Sequence, residues 1–250
     1  MNTRQFSDEF DTLLNSYARS IPFTMEHSPY DLVCDEYEKS VFLTRAEKEF
    51  VTGWYSGKNV YNLTFEEKEE MREALDSLVR TVELTALADS EVPKTTKHTF
   101  DGKRNFTFYK IPSNLLYIIF EEIKFSSYLS GCIKGAAALV VPATHDEIWH
   151  RFKNPFRGPS KQRVLRLNAD NNIVELISDY PIGSYLLRYV EEPKPIILTD
   201  LNDGLNIDGY TEQTECELPD ITHHIILDMA VRLAIQTKSI GLSNSTEGRS

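Results

Sequence analysis

The run CELPDITHHIILDMAVRLAI, residues 216–235, places Cys216, His223, His224 and an aspartate within a few turns of chain. These are zinc-binding side chains, so the first question is whether they share an ion. Neighbouring residues on a helix are about 100° apart, so His223 and His224 cannot both face one metal from regular geometry. Structural zinc also wants four ligands, usually in spaced pairs, and no further ligand lies close by in sequence. The residues predict a helix start with one half-buried histidine making a satisfied hydrogen bond. Local periodicity puts His224 beside the apolar stripe and His223 toward solvent.

Two other stretches invite chemistry and fall short. In THDEIWHRF, His145 and His150 are five apart, about 140° round a helix, which breaks the H-E-x-x-H zinc pattern. Glu147 and His150 keep the E-x-x-H spacing of di-iron bundles, but such sites need two of these motifs plus two more glutamates. The plainer expectation is a capped surface helix burying Ile148 and Trp149. DLNDGLNIDGYTE evokes a calcium loop, yet counting from Asp200 puts Gly204 at position five and Thr211 at position twelve, where acidic or amide ligands belong. A polar turn before the last helix is predicted there. No phosphate-binding glycine loop, dinucleotide fingerprint, nucleophile elbow or kinase set occurs. No catalytic, cofactor or metal residue is therefore expected. The alternative is a hydrolytic or metal-dependent enzyme whose His, Asp and Glu side chains converge only in space, around His145, His150, His223 and His224.

The elements that would carry these residues fall into an α+β pattern. Phe6, Phe10, Leu13, Leu14 and Tyr17 form one apolar stripe, predicting a helix over residues 3–20. A second, shorter helix is expected after Pro29. Thr44 with Glu47 reads as a capping box opening a third helix that buries Ala46, Phe50, Val51 and Trp54 and stops at Gly57. Thr64 with Glu67 reads as another box, with Met71, Leu75, Leu78, Val79 and Val82 inward. From about residue 95 the period changes to that of strands. KHTFDGKRNFTFYKI reads as a hairpin across Asp101-Gly102. NLLYIIFEEIKFSS, KGAAALVVPAT, RVLRLN, NIVELIS and YLLRYVEEPKPIIL are further strands, the last halted by its prolines. Thr144 with Glu147 opens a short helix between them. Pro219 starts a final amphipathic helix with Thr222, Ile225, Ile226, Met229, Ala230, Leu233 and Ala234 on its stripe.

Strands that follow helices, rather than alternate with them, argue for an antiparallel β-rich middle and against a doubly wound sheet. The expected organisation is a helical subdomain at 1–90, a β-rich domain at 97–200 with one short helix at 145–153, a C-terminal helix at 216–236 and a polar tail or arm at 237–250.

Size and charge narrow the function further. A chain of 250 residues can bury a core without staples. Three widely spaced cysteines, Cys34, Cys132 and Cys216, are no disulfide framework and suit a reducing compartment. The N-terminus lacks the basic and apolar regions of a secretory signal, and no apolar run reaches membrane-spanning length, so no membrane partner is expected. Net charge is −11, from 27 basic and 38 acidic residues, which argues against a phosphate-gripping nucleic-acid binder. RFKNPFRGPSKQRVLR, residues 151–166, is the one dense basic stretch, with six Lys or Arg. It is read as a solvated loop and strand edge, or as a local contact for an acidic partner surface; a regulatory module meeting an acidic ligand through it is a weaker option.

Four segments in order, DEYEKSVFLTRAEKEFV (35–51), NPFRGPSKQRVLRL (154–167), YPIGSYLLRYVEEPKPIIL (180–198) and CELPDITHHIILDMAVRLAI (216–235), resemble the head-to-tail connector, or ring, proteins of crAss-like bacteriophages. The C-terminal pattern is also similar to that of the podovirus tail adaptors that dock beneath the portal. The resemblance implies a structural virion protein, assembled in the host cytoplasm, that needs no cofactor. It implies a ring of copies, twelve by family precedent, with the portal and other connector or tail proteins as partners and with DNA passing through without sequence-specific binding. A closed ring joins copies head to tail through heterologous surfaces. Asn154, Pro155, Phe156, Arg157, Pro159 and Arg163 are the candidate interface residues, since they combine an aromatic, a proline-stiffened loop and arginines.

Overall fold

The computed structural model describes residues 1–20, 33–57, 69–88, 91–92, 104–126, 131–169, 172–202 and 204–247. Five α-helices are described: α1 (Thr3–Ser20), α2 (Glu36–Ser56), α3 (Glu69–Leu75), α4 (Ile148–Lys153) and α5 (Asp220–Glu247). Seven strands are described: β1 (Val79–Leu84), β2 (Asn105–Lys110), β3 (Leu115–Phe125), β4 (Ala137–Pro142), β5 (Arg163–Asn168), β6 (Ile173–Ser178) and β7 (Ile182–Glu191). The chain is α+β. It divides into two compact units: unit 1 comprises Met1–Leu78 with Glu192–Ser250, and unit 2 is the continuous stretch Val79–Glu191.

In unit 1, α5 packs against α1 and α2. Phe6, Phe10 and Leu14 of the α1 stripe are buried, as are Leu43, Ala46, Phe50 and Val51 of α2. The two helices expected between residues 30 and 57 are one. Its start is Asp35, whose carboxylate accepts from the Glu38 N–H at 2.7 Å while the Glu38 side chain accepts from the Asp35 N–H. Gly57 ends it at φ 75°, a left-handed conformation that costs glycine little. Thr44 and Glu47 therefore cap nothing; both are buried in mid-helix. A capping box and a buried polar pair share the same i, i+3 spacing, and here tertiary contacts decide between them. The second expected box, Thr64 with Glu67, lies outside the described residues.

Polar side chains on α2 organise the incoming segment 195–198. Thr44 Oγ1 accepts from the Ile196 N–H at 3.1 Å and donates to the Ile196 carbonyl at 3.3 Å. One turn earlier, Ser40 Oγ accepts from the Leu198 N–H at 3.0 Å and donates to the Glu36 carbonyl. The segment has a single bridge, Ile197↔Thr214, rather than a strand ladder, so these hydroxyls supply the partners that Ile196 and Leu198 require on the α2 side. The buried Lys39 ammonium joins α1 to α2 through Ser7 Oγ, Asp11 Oδ2 and Glu36 Oε1, at 3.0, 2.7 and 3.0 Å.

Unit 2 is one seven-stranded sheet in the order β1-β7-β3-β4-β5-β6-β2. Every pairing is antiparallel except β4 with β5, which run parallel from Leu139↔Arg163 to Pro142↔Arg166. That pairing departs from the antiparallel expectation for a topological reason. Parallel neighbours need a crossover, and residues 143–162, which hold α4 and the loop after it, provide one. The segment just after β1 reaches β2, at the other end of this order, through an Ala86↔Tyr109 bridge, with the Leu87 N–H donating to the Phe108 carbonyl at 2.8 Å. Tyr109, Ile123, Phe125, Val164, Leu176 and Tyr185 form its main apolar cluster. A smaller cluster on the opposite pleat, Ile148, Leu165, Leu167 and Ile177, seats α4.

Residues 79–84, expected to continue a helix, form β1 instead, because six consecutive residues pair with β7. Cross-strand pairing of that length outweighs a marginal helical period. The hairpin expected across Asp101-Gly102 lies outside the described residues, although its second arm is β2.

Candidate assembly surface

The crossover between β4 and β5 presents the expected interface residues. Helix α4 buries Ile148, 1% exposed, while Trp149 stands 57% exposed, contrary to the expectation that both point inward. One apolar side chain per turn suffices to seat a helix of this length, and the next residue round points away. Thr144 supplies backbone rather than side-chain capping: its carbonyl accepts from the N–H groups of Glu147 and Ile148.

Asn154 ends α4 and shapes the turn after it. Its carboxamide oxygen accepts from the Phe156 N–H at 2.9 Å, and its carbonyl accepts from Arg157 at 3.1 Å and Gly158 at 2.9 Å. This side-chain-closed turn is characteristic of asparagine. Arg163, half-buried on β5, donates from its guanidinium to the Phe156 carbonyl. Pro159 and Gly158 are buried beneath. A Cβ on Gly158 would lie 3.2 Å from the Arg151 carbonyl and 3.3 Å from that of Asn154, closer than most Cβ contacts, so a larger residue would have to push these carbonyls aside by a few tenths of an ångström. The outcome is a braced knuckle with Pro155 and Arg157 exposed at its tip and Phe156 84% exposed. Thus Pro155, Phe156 and Arg157 are on display, whereas Asn154, Pro159 and Arg163 brace them. At the base of α4 the Arg104 guanidinium stacks over the Phe152 ring at 4.2 Å.

Two of the four candidate histidines, His145 and His223, hold backbone or terminal groups. His145 Nε2 lies 3.0 Å from the Asn168 carbonyl in unit 2. In unit 1 the two neighbours are reversed from expectation: His223 is buried and His224 exposed. The buried face of α5 runs through Thr222, His223, Ile226, Leu227, Ala230 and Val231, one residue round from the predicted stripe. This helix is apolar on most of its circumference, so only its neighbours select the face. His223 Nε2 lies 2.8 Å from the Leu218 carbonyl and must donate to it; Nδ1 is then the acceptor for the Met1 ammonium at 2.9 Å. Burial lowers the His223 pKa, in keeping with this neutral tautomer. Among the described residues, no three or more His, Cys, Asp or Glu side chains are grouped to hold a metal ion.

Among the buried charged groups, the carboxylates Glu47 and Glu121 have partners that the sequence reading did not foresee. Glu47 is fully buried; its Oε1 accepts from the Cys216 thiol at 3.2 Å and its Oε2 has no hydrogen-bond partner among the described residues. Burial, only partly offset by that thiol, pushes the Glu47 pKa up to about 8. Cys216 is held well above the usual thiol range by burial and by Glu47. In unit 2, Glu121 accepts from the Tyr185 hydroxyl and from Arg166 Nη1 at 3.3 Å. Burial raises the Glu121 pKa against the opposing pull of Arg166 and Tyr185. Strand alternation could have flagged Glu121 and Arg166 as inward-facing, but not as partners: they are 45 residues apart.

The knuckle thus displays an aromatic and an arginine side chain at the surface. The model of the phage tail ring protein 3/4 family matches residues 1–247. Ring protein 3 of Bacteroides phage crAss001 is 40% identical over 240 residues, covering 96% of this chain and 97% of that protein. Ring protein 4/5 of the same phage is 29% identical over 243 residues, covering 94% and 92%. The chain belongs to the phage tail ring protein 3/4 family.

Proposed function

We propose that this chain is a structural subunit of a ring in the head-to-tail connector of a crAss-like phage. Copies assemble head to tail into a closed ring, stacked with the portal and with other connector or tail proteins, and the genome passes through the ring on ejection. The observation that carries this reading is the family match along residues 1–247, which includes both units and the knuckle between β4 and β5. The knuckle forms part of the contact between copies: Pro155, Phe156 and Arg157 meet the neighbour, and Asn154, Pro159 and Arg163 hold them in place. An 84% exposed phenylalanine beside an exposed arginine is the composition that interfaces bury.

The net charge of −11 supports the passage of DNA, since like charge facing phosphate discourages adhesion. The test is electron microscopy and native mass spectrometry of the full-length chain, alone and mixed with a portal. Rings of uniform copy number are expected, twelve by family precedent. Monomers under both conditions would overturn the reading.

A further inference from the structure

The knuckle on β4–β5 carries one sign of charge, and another surface segment carries the opposite sign. Residues 151–166 hold six Lys or Arg and no Asp or Glu. Residues 200–220 hold seven Asp or Glu and no Lys or Arg, the reverse of the knuckle. Some of this charge is already matched within the chain: Arg166 is buried against Glu121, Arg151 pairs with Glu147, and Asp208, Glu217 and Asp220 pair with Lys48, Lys194 and the Met1 ammonium. Exposed charge of one sign remains on each segment, Lys153 and Arg157 on the knuckle and Glu212 and Glu215 on the acidic segment.

The acidic segment is also built to present side chains. Its Ile207 and Tyr210 exchange backbone hydrogen bonds of 3.0 and 2.9 Å across Asp208-Gly209. Both turn residues have positive φ, 52° and 86°, which is the two-residue hairpin geometry that Asp-Gly favours. The Leu201 N–H donates to the Thr211 carbonyl at 2.8 Å, and the Gln213 N–H donates to Asp200 Oδ1 at 2.8 Å. On this braced loop Leu205 is 43% exposed and Tyr210 42% exposed, with Glu212 and Glu215 exposed beside them. The knuckle offers Phe156 with Arg157 and Lys153 exposed beside it. Each surface therefore pairs an apolar anchor with charge of one sign, and each is rigid before contact, which lowers the ordering cost of association.

From this complementarity we infer that the knuckle of one copy docks on the acidic hairpin of a second copy. Phe156 packs against Leu205 and Tyr210 of the neighbour, and Lys153 and Arg157 face its Glu212 and Glu215. The inference rests on the ring reading and deepens it, because it gives a heterologous interface both of its halves. Such a contact repeats around a ring, since every copy carries one knuckle and one hairpin.

The test has two arms on the full-length chain. A photo-crosslinking phenylalanine at position 156, in a mixture of isotopically light and heavy protein, is expected to give mixed-mass crosslinks to peptides spanning residues 200–215. Charge reversal supplies the second arm. Arg157→Glu with Lys153→Glu, and separately Glu212→Lys with Glu215→Lys, should each weaken association at least about tenfold, and combining the two reversed pairs should restore most of it. Rings that form while position 156 crosslinks elsewhere would overturn this contact and leave the ring reading intact. Retained rings with loss of DNA retention in the knuckle variant would overturn it too, making the knuckle a nucleic-acid contact. Failure of the unaltered chain to form rings, alone or with portal, counts instead against the ring reading.

Discussion

The two units reach stability by different means. Unit 2 is a continuous stretch in which each strand finds its backbone partners on its neighbours, and a single bridge joins Ala86, just after β1, to Tyr109 of β2. Unit 1 is assembled from both ends of the chain, and its segment 195–198 has a helix for a neighbour rather than a full ladder of strands. There the side chains of Ser40 and Thr44 take over the work a strand's backbone does in unit 2. Polar residues in mid-helix are thus structural in unit 1, while in unit 2 the buried Glu121 takes its partners, Arg166 and Tyr185, from other strands of the sheet. A buried polar residue is therefore to be judged by what its neighbour lacks.

The largest effect is expected in unit 2. Arg166→Met leaves the Glu121 carboxyl buried with only Tyr185 for company, and should cost about 3–5 kcal/mol in urea unfolding of the full chain. Adding Glu121→Gln should return most of that loss. An unchanged unfolding midpoint in the single variant would show that unit 2 does not depend on the pair.

Glu47, in unit 1, gives the next largest effect, and a pH signature. Its folded pKa of about 8 lies above the ordinary value of 4.5, so the folded chain keeps a proton the unfolded chain releases. Its contribution therefore falls as pH rises from about 4.5 towards 8 and is flat beyond. Glu47→Gln is neutral throughout, so the difference in stability between variant and unaltered protein should grow across that window, to about 2–4 kcal/mol above pH 8. A difference that does not vary with pH would mean that Glu47 is ionised and solvated.

Thr44→Val keeps the shape of the side chain but strands the Ile196 N–H. A loss of about 1–2 kcal/mol is expected by denaturant titration, with faster amide exchange at Ile196 as the local readout. Smallest of all, Asp35→Ala removes the carboxylate that starts α2 and should cost about 1 kcal/mol, while Asp35→Asn should cost much less. If Thr44→Ala disturbed the α2 start more than Asp35→Ala, the helix boundary itself would be misplaced.

Much of the fold is legible in the sequence, and for local reasons. The cores of β3 to β7 can be found because strand residues announce themselves by composition and by bounding turns, as the prolines after Glu191 do. The α1 stripe and the Gly57 stop are legible in the same way. The knuckle is legible as a candidate because an aromatic, an arginine and two prolines crowd into 154–159, but its division into displayed and bracing residues is not. That division depends on Arg163 reaching back to the Phe156 carbonyl. The acidic hairpin leaves a signal, an Asp-Gly dipeptide in an unbroken acidic run, that a count of calcium-loop positions registers only as a broken pattern.

By itself, then, the sequence determined the α+β class, the succession of helices, strands and final helix, and the family likeness, because period, turn residues and motif order are properties of neighbours along the chain. Tertiary structure alone decided that residues 79–84 are a strand, that β4 and β5 run parallel, that His223 rather than His224 is buried, and that Thr44 serves Ile196 and Glu47 meets Cys216, 152 and 169 residues away. The reason is the same in each case. A local pattern fixes which side chains can be buried, but which face is buried, and which polar group must be satisfied there, is set by what packs against it.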